Sequence, residues 1–139
     1  MRRMMAAALL AVLLPGGLVT VGAQPAQAYG PCTGSETIEG AALPKPMPCY
    51  MGPGAGAKSA VEALQKAIVL CYSSTAAARY VINSGGFDGA YGPGTVSAVK
   101  WLQSNRFGFT GSDVDGVFGP ASDRKMRYPF DYGCARIPY

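Results

Sequence analysis

The sequence predicts an all-α domain, on three observations. Val61, Leu64, Ile68, Cys71 and Tyr72 recur at spacings of three and four, the period of one face of a helix. A second helical face runs through Thr95, Val99 and Leu102, behind the pair Gly92-Pro93. A third, shorter helix opens near Pro120 and ends before Pro129. Ahead of these helices, Pro31, Pro44, Pro46, Pro48 and Pro53 deny the chain any regular helix, so an irregular extension over 29–56 precedes the bundle.

The N-terminus reads as an export signal. Met1-Arg2-Arg3 gives a positive start, residues 6–14 form a nine-residue apolar run, and Ala26-Gln27-Ala28 places small residues at both positions of an A-x-A cleavage site. That is the pattern of a secretory signal peptide over residues 1–28, and nine apolar residues are too few to span a bilayer. Without Arg2 and Arg3, the 12 Lys+Arg of the chain fall to 10 against 8 Asp+Glu, and the net charge falls from +4 to +2. No Lys/Arg run or basic stripe remains, which argues against nucleic acid as a partner. Nothing after the signal suits a membrane.

At 139 residues the chain has room for one domain. It contains no histidine, which removes Ser-His-Asp and Cys-His nucleophile systems and His-liganded zinc. The expectation is a protein that is not an enzyme and carries no cofactor or metal. Cys32, Cys49, Cys71 and Cys134 all lie after the signal, and an even number in an exported chain reads as two disulfides. Four cysteines allow three pairings. The preferred one joins Cys32 to Cys49, closing a local Pro-rich loop, and Cys71 to Cys134, tying the 129–139 tail to the first helix.

In the first helix Ser59 stands as a cap, with Glu62 three residues on to complete a capping box. Residues 76–83 read equally as a short helix capped by Thr75 or as an extended segment, since Arg79-Tyr80-Val81-Ile82 suits both. Asn83-Ser84-Gly85-Gly86 ends it either way. Pro93 at the first turn of the next helix loses no needed hydrogen bond.

An internal repeat is the strongest signal. Residues 88–95 read Asp-Gly-Ala-Tyr-Gly-Pro-Gly-Thr, and residues 115–122 read Asp-Gly-Val-Phe-Gly-Pro-Ala-Ser. Asp-Gly makes a tight turn, the aromatic plugs the core, and Gly-Pro launches a helix. With Val61-Glu62-Ala63-Leu64-Gln65 ahead of them, and Ala98-Val99 and Leu102-Gln103 between them, these motifs resemble the peptidoglycan-binding-domain-like family over about residues 57–128. The resemblance implies a small three-helix orthogonal bundle and a secreted bacterial module that binds cell-wall peptidoglycan in an inter-helix groove. Ser122, Asp123 and Met126 depart from the threonine, large apolar residue and leucine usual in the final motif, and the 73–86 connection is longer than is typical.

The candidate ligand residues are Gln65, Asp88, Tyr91, Lys100, Trp101 and Gln103. Gln65 and Gln103 are placed to hydrogen-bond the inter-helix turns or a stem peptide, while Tyr91 also reads as a core plug. Lys100, with Arg79 and Arg106, suits the carboxylates of a peptide stem. Trp101 points away from the Val99–Leu102 face, either as a platform for a sugar ring or as a seat for the Cys32–Cys49 loop. The alternative function is a disulfide-stapled interaction protein, an inhibitor or partner of another secreted protein, using the fold as scaffold.

Overall fold

The computed structural model describes residues 29–138. The predicted signal over 1–28 lies outside the described residues, as does Tyr139. Two β-strands come first, β1 (Gly34–Ile38) and β2 (Ala41–Lys45). Helices α1 (Lys58–Cys71), α2 (Ala76–Asn83) and α3 (Pro93–Asn105) follow. A single helical turn, α4 (Pro120–Asp123), then leads into β3 (Tyr128–Phe130) and β4 (Gly133–Ala135).

The all-α expectation is therefore corrected: the fold is mixed, four helices with two antiparallel two-stranded sheets. Prolines exclude a helix but not an edge strand, where a missing N–H costs nothing. Pro44 sits in β2 opposite Ser35, and a two-residue turn joins Ile38 to Ala41. Glu39 (φ 47°) and Gly40 (φ 80°) both take positive φ there, the geometry of a tight hairpin turn. The segment read as irregular is thus a hairpin whose Ala41 and Leu43 face the core. The tail is likewise a hairpin, with Pro129 opposite Cys134. The two hairpins meet where the Asp131 amide donates to the Glu39 carbonyl at 2.9 Å.

Helix α1 buries Val61, Leu64 and Ile68 along the predicted stripe. Each such side chain contributes about 1.5–3 kcal/mol. The expected capping box is absent: Ala57 occupies the N-cap without a side-chain bond, and Ser59 lies inside the helix. For residues 76–83 the helical alternative holds, with Thr75 accepting from the Ala78 amide at 3.5 Å. Helix α3 starts at Pro93 behind Gly92 and buries Thr95, Val99 and Leu102. These faces close on Val81, Phe118, Met126, Tyr128 and Met51 in one core.

The last helix stops after one turn. Asp123, where the resemblance leads one to expect an apolar residue, instead accepts from the Tyr128 hydroxyl. Tyr128 precedes Pro129 and is thereby biased to extended backbone, so the chain leaves the helix for β3. Disulfides join Cys32 to Cys49 and Cys71 to Cys134. Met51 and Phe118 exchange backbone hydrogen bonds of 2.8 Å, which seats the first disulfide loop on the second Asp-Gly turn.

Candidate functional site

The two sequence repeats fold into one joint, built twice. In the first, Gln65 reaches out of α1 and its Nε2 donates to Asp88 Oδ1 (2.8 Å), Ala90 O (3.1 Å) and Thr95 Oγ1 (3.2 Å). The Gly89 amide returns a bond to Gln65 Oε1 at 2.9 Å, and the Ala90 amide donates to Asp88 Oδ1 at 2.9 Å. In the second, Gln103 on α3 donates to Asp115 Oδ1 (2.9 Å), Val117 O (3.1 Å) and Ser122 Oγ (3.5 Å). The Gly116 amide donates to Gln103 Oε1 at 2.9 Å, and the Val117 amide to Asp115 Oδ1 at 2.8 Å. Each partner in one joint has its counterpart in the other.

Both turns need glycine. Gly89 and Gly116 have φ of 70° and 78°, and each lies against the helix that carries its glutamine. A Cβ on Gly89 would sit 2.8 Å from the Lys58 carbonyl oxygen, and one on Gly116 2.8 Å from Val96 Cγ1. Left-handed backbone and close helix approach thus select the same residue.

These contacts place four of the six candidate ligand residues in the architecture. Gln65 and Gln103 are each only 1% exposed, with their amides committed to the turns. Tyr91 is buried, and its hydroxyl donates to the Gly116 carbonyl at 2.7 Å, linking the first turn to the second. Burial pushes its phenol far above the usual range. The Asp88 carboxylate is held below its usual range by the Gln65 hydrogen bond first and the Ala90 amide second. Lys100 is exposed, its stem passing close to Gly116. Trp101 is half-buried against the core, and the Arg106 guanidinium lies 5.8 Å from its ring centroid, a cation–π contact.

Arg106 leads to a feature that sequence reading missed. A pocket of about 370 Å³ opens between the C-terminal ends of α1 and α3 and the start of α2. Its lining includes Tyr72, Ser73, Ser74 and Phe107, and four cations: Arg106, Lys125, Arg127 and Arg136. No Asp or Glu lines it. The Arg127 amide donates to the Tyr72 hydroxyl at 3.0 Å, and Cys71 in the wall is bonded to Cys134, two residues before Arg136. Desolvation raises the Tyr72 phenol, while Arg127, Arg136 and Arg106 each pull it down. All three guanidiniums therefore bear on one point of the pocket. In sequence Arg106 stands out as a partner for stem-peptide carboxylates, but its company of Lys125, Arg127 and Arg136 does not, beyond the short Arg124-Lys125-Met126-Arg127 stretch.

A second, smaller cleft of about 190 Å³ is lined by Met47, Pro48, Pro120, Asp123 and Arg124. Asp123 is 1% exposed, and its Oδ2 is buried without a hydrogen-bond partner. Burial raises its carboxyl to about 6, with the Tyr128 hydroxyl pulling the other way. Among the described residues, no group of three or more Cys, Asp or Glu is arranged to hold a metal ion. Compared with known proteins, the chain matches no family model, no curated protein and no solved structure.

Proposed function

We propose that the protein is a secreted, non-catalytic module that binds bacterial cell-wall peptidoglycan through the groove where α1, α2 and α3 meet. The observation that carries this reading is the groove itself: an open pocket of about 370 Å³ at three helix ends, reached from Trp101 through Arg106. The resemblance of the repeated motifs to peptidoglycan-binding modules supports it. The residues that carry that resemblance build the doubled joint that fastens α1 and α3 to the two Asp-Gly turns. Two disulfides, and no described helix long and apolar enough to cross a membrane, are compatible with export.

The Asp88 and Asp115 carboxylates are each engaged by their own turn and its glutamine. Binding contacts in a shallow groove are individually weak, so retention on a polymer would come from repeated engagement. The test is co-sedimentation of the oxidised protein with purified, salt-washed peptidoglycan, beside a Trp101→Ala variant. Retention that survives moderate salt and weakens in the variant is expected. Absence of retention in both would sink the reading and turn the search to a protein partner.

A further inference from the structure

We infer that the basic pocket is a site for the carboxylate groups of a short peptide, an inference that rests on the wall-binding reading and names which part of the wall is held. Its four cations come from separate stretches of chain: Arg106 at the end of α3, Lys125 and Arg127 between α4 and β3, and Arg136 after β4. Like charges on a surface repel, and dispersing them lowers the energy. Here they are gathered, and none of the four forms an ion pair among the described residues. Two fixtures hold the arrangement: the Cys71–Cys134 disulfide beside Arg136, and the Tyr72 hydroxyl on the Arg127 backbone.

The chemistry selects the ligand. Guanidinium groups meet carboxylates through paired, charge-assisted hydrogen bonds, and three of the four cations are arginines. A pocket of about 370 Å³ exceeds the needs of one small anion and suits several residues of peptide. Ser73 and Ser74 are exposed and add hydroxyl donors, while Tyr72 and Phe107 supply apolar floor. With Arg106 shared between the pocket and Trp101, a stem peptide in the pocket would set its attached sugar near the indole.

Titration calorimetry with a synthetic stem peptide bearing free carboxylates tests this. The same peptide with every carboxylate amidated and inorganic phosphate are the comparison probes. Arg127→Gln combined with Arg136→Gln alters two exposed side chains, and its fold is checked by circular dichroism. Lys66→Gln, an exposed cation on α1 outside the pocket, controls for net charge. The free peptide is expected to bind, the amidated one to fail, and the double variant to weaken binding by about tenfold or more while Lys66→Gln leaves it unchanged. Equal binding of the amidated peptide, or an unaffected double variant, overturns the proposal. So does phosphate binding that outcompetes the peptide, which would point to a phosphate-bearing polymer. Sedimentation separates the two readings: wild type and double variant retained equally on peptidoglycan overturns the pocket and leaves wall binding standing. Peptide binding without wall retention does the reverse.

Discussion

The Tyr91 hydroxyl donates to the Gly116 carbonyl oxygen across 2.7 Å, so the aromatic plug of one Asp-Gly turn is fastened to the glycine of the other. Phe118, at the matching place in the second turn, has no hydroxyl and is tied instead through its backbone to Met51. The two joints are therefore linked in series, helix α1 to first turn to second turn to the N-terminal loop.

Tyr91→Phe keeps the ring and removes that link. The Gly116 carbonyl is left buried without its donor, and stability should fall by about 1–2 kcal/mol. Urea unfolding of the oxidised protein measures it, and a change below about 0.5 kcal/mol would mean the carbonyl finds another donor.

Gln103→Leu is a harsher cut. The side chain serves Asp115, Val117, Ser122 and Gly116 at once, and an isosteric apolar residue satisfies none of them. A loss of about 2–4 kcal/mol is expected. Gln65→Leu should cost a similar amount, because its contacts correspond one for one. Unequal losses in chemical denaturation would show that the joints differ in load.

Asp123 makes stability depend on pH in an unusual direction. Its carboxyl titrates at about 6 in the folded protein against an ordinary 3.8, so the folded state holds this proton more tightly. Stability from this group is full below about pH 4 and is lost as pH rises towards 6, by up to about 3 kcal/mol. Asp88, lowered by its hydrogen bonds, acts in the opposite sense and only below its usual range. Asp123→Asn retains an oxygen for the Tyr128 hydroxyl and should flatten the fall between pH 4 and 6. Urea midpoints at several pH values decide it. A wild-type curve that rises across this window would contradict the assignment.

Replacing both Cys71 and Cys134 by alanine opens a link spanning 63 residues. The expected loss is about 3–5 kcal/mol. Thermal melting checks that figure. The variant should also lose any affinity of the basic pocket, because the hairpin carrying Arg136 is no longer held at its wall.

What could be read from the sequence, and what could not, follows from how far apart the cooperating residues lie. The α1 stripe and the Gly-Pro helix starts depend on neighbours within a turn or two and are legible there, whereas Thr75 stands equally before a helix or an extended segment, and packing decides between them. The joints were half legible: the repeat announced two like turns, but the commitment of Gln65 and Gln103 to those turns, rather than to a ligand, needed coordinates. The hairpins are hidden because proline excludes a helix without announcing a strand, yet Pro44 and Pro129 each occupy one. The basic pocket was hidden for another reason. Its cations come from separate stretches of chain, and the Cys71–Cys134 pairing that the sequence favours brings the tail to the α1 end without telling which cations meet there.

The doubled joint also bears on how this scaffold could be rebuilt. Glutamine and aspartate are separated by 12 residues in one copy and by 23 in the other, where α2 fills the difference. The lock closes identically on both paths, so it does not gauge the detour between its halves. Doubling a flexible loop costs only about 0.6 kcal/mol of closure entropy. Length added on the α2 path must stop short of Ser84 and Gly85, however, because these exposed residues lie against Gly94 and Asp88 and so form part of the lock's own seat.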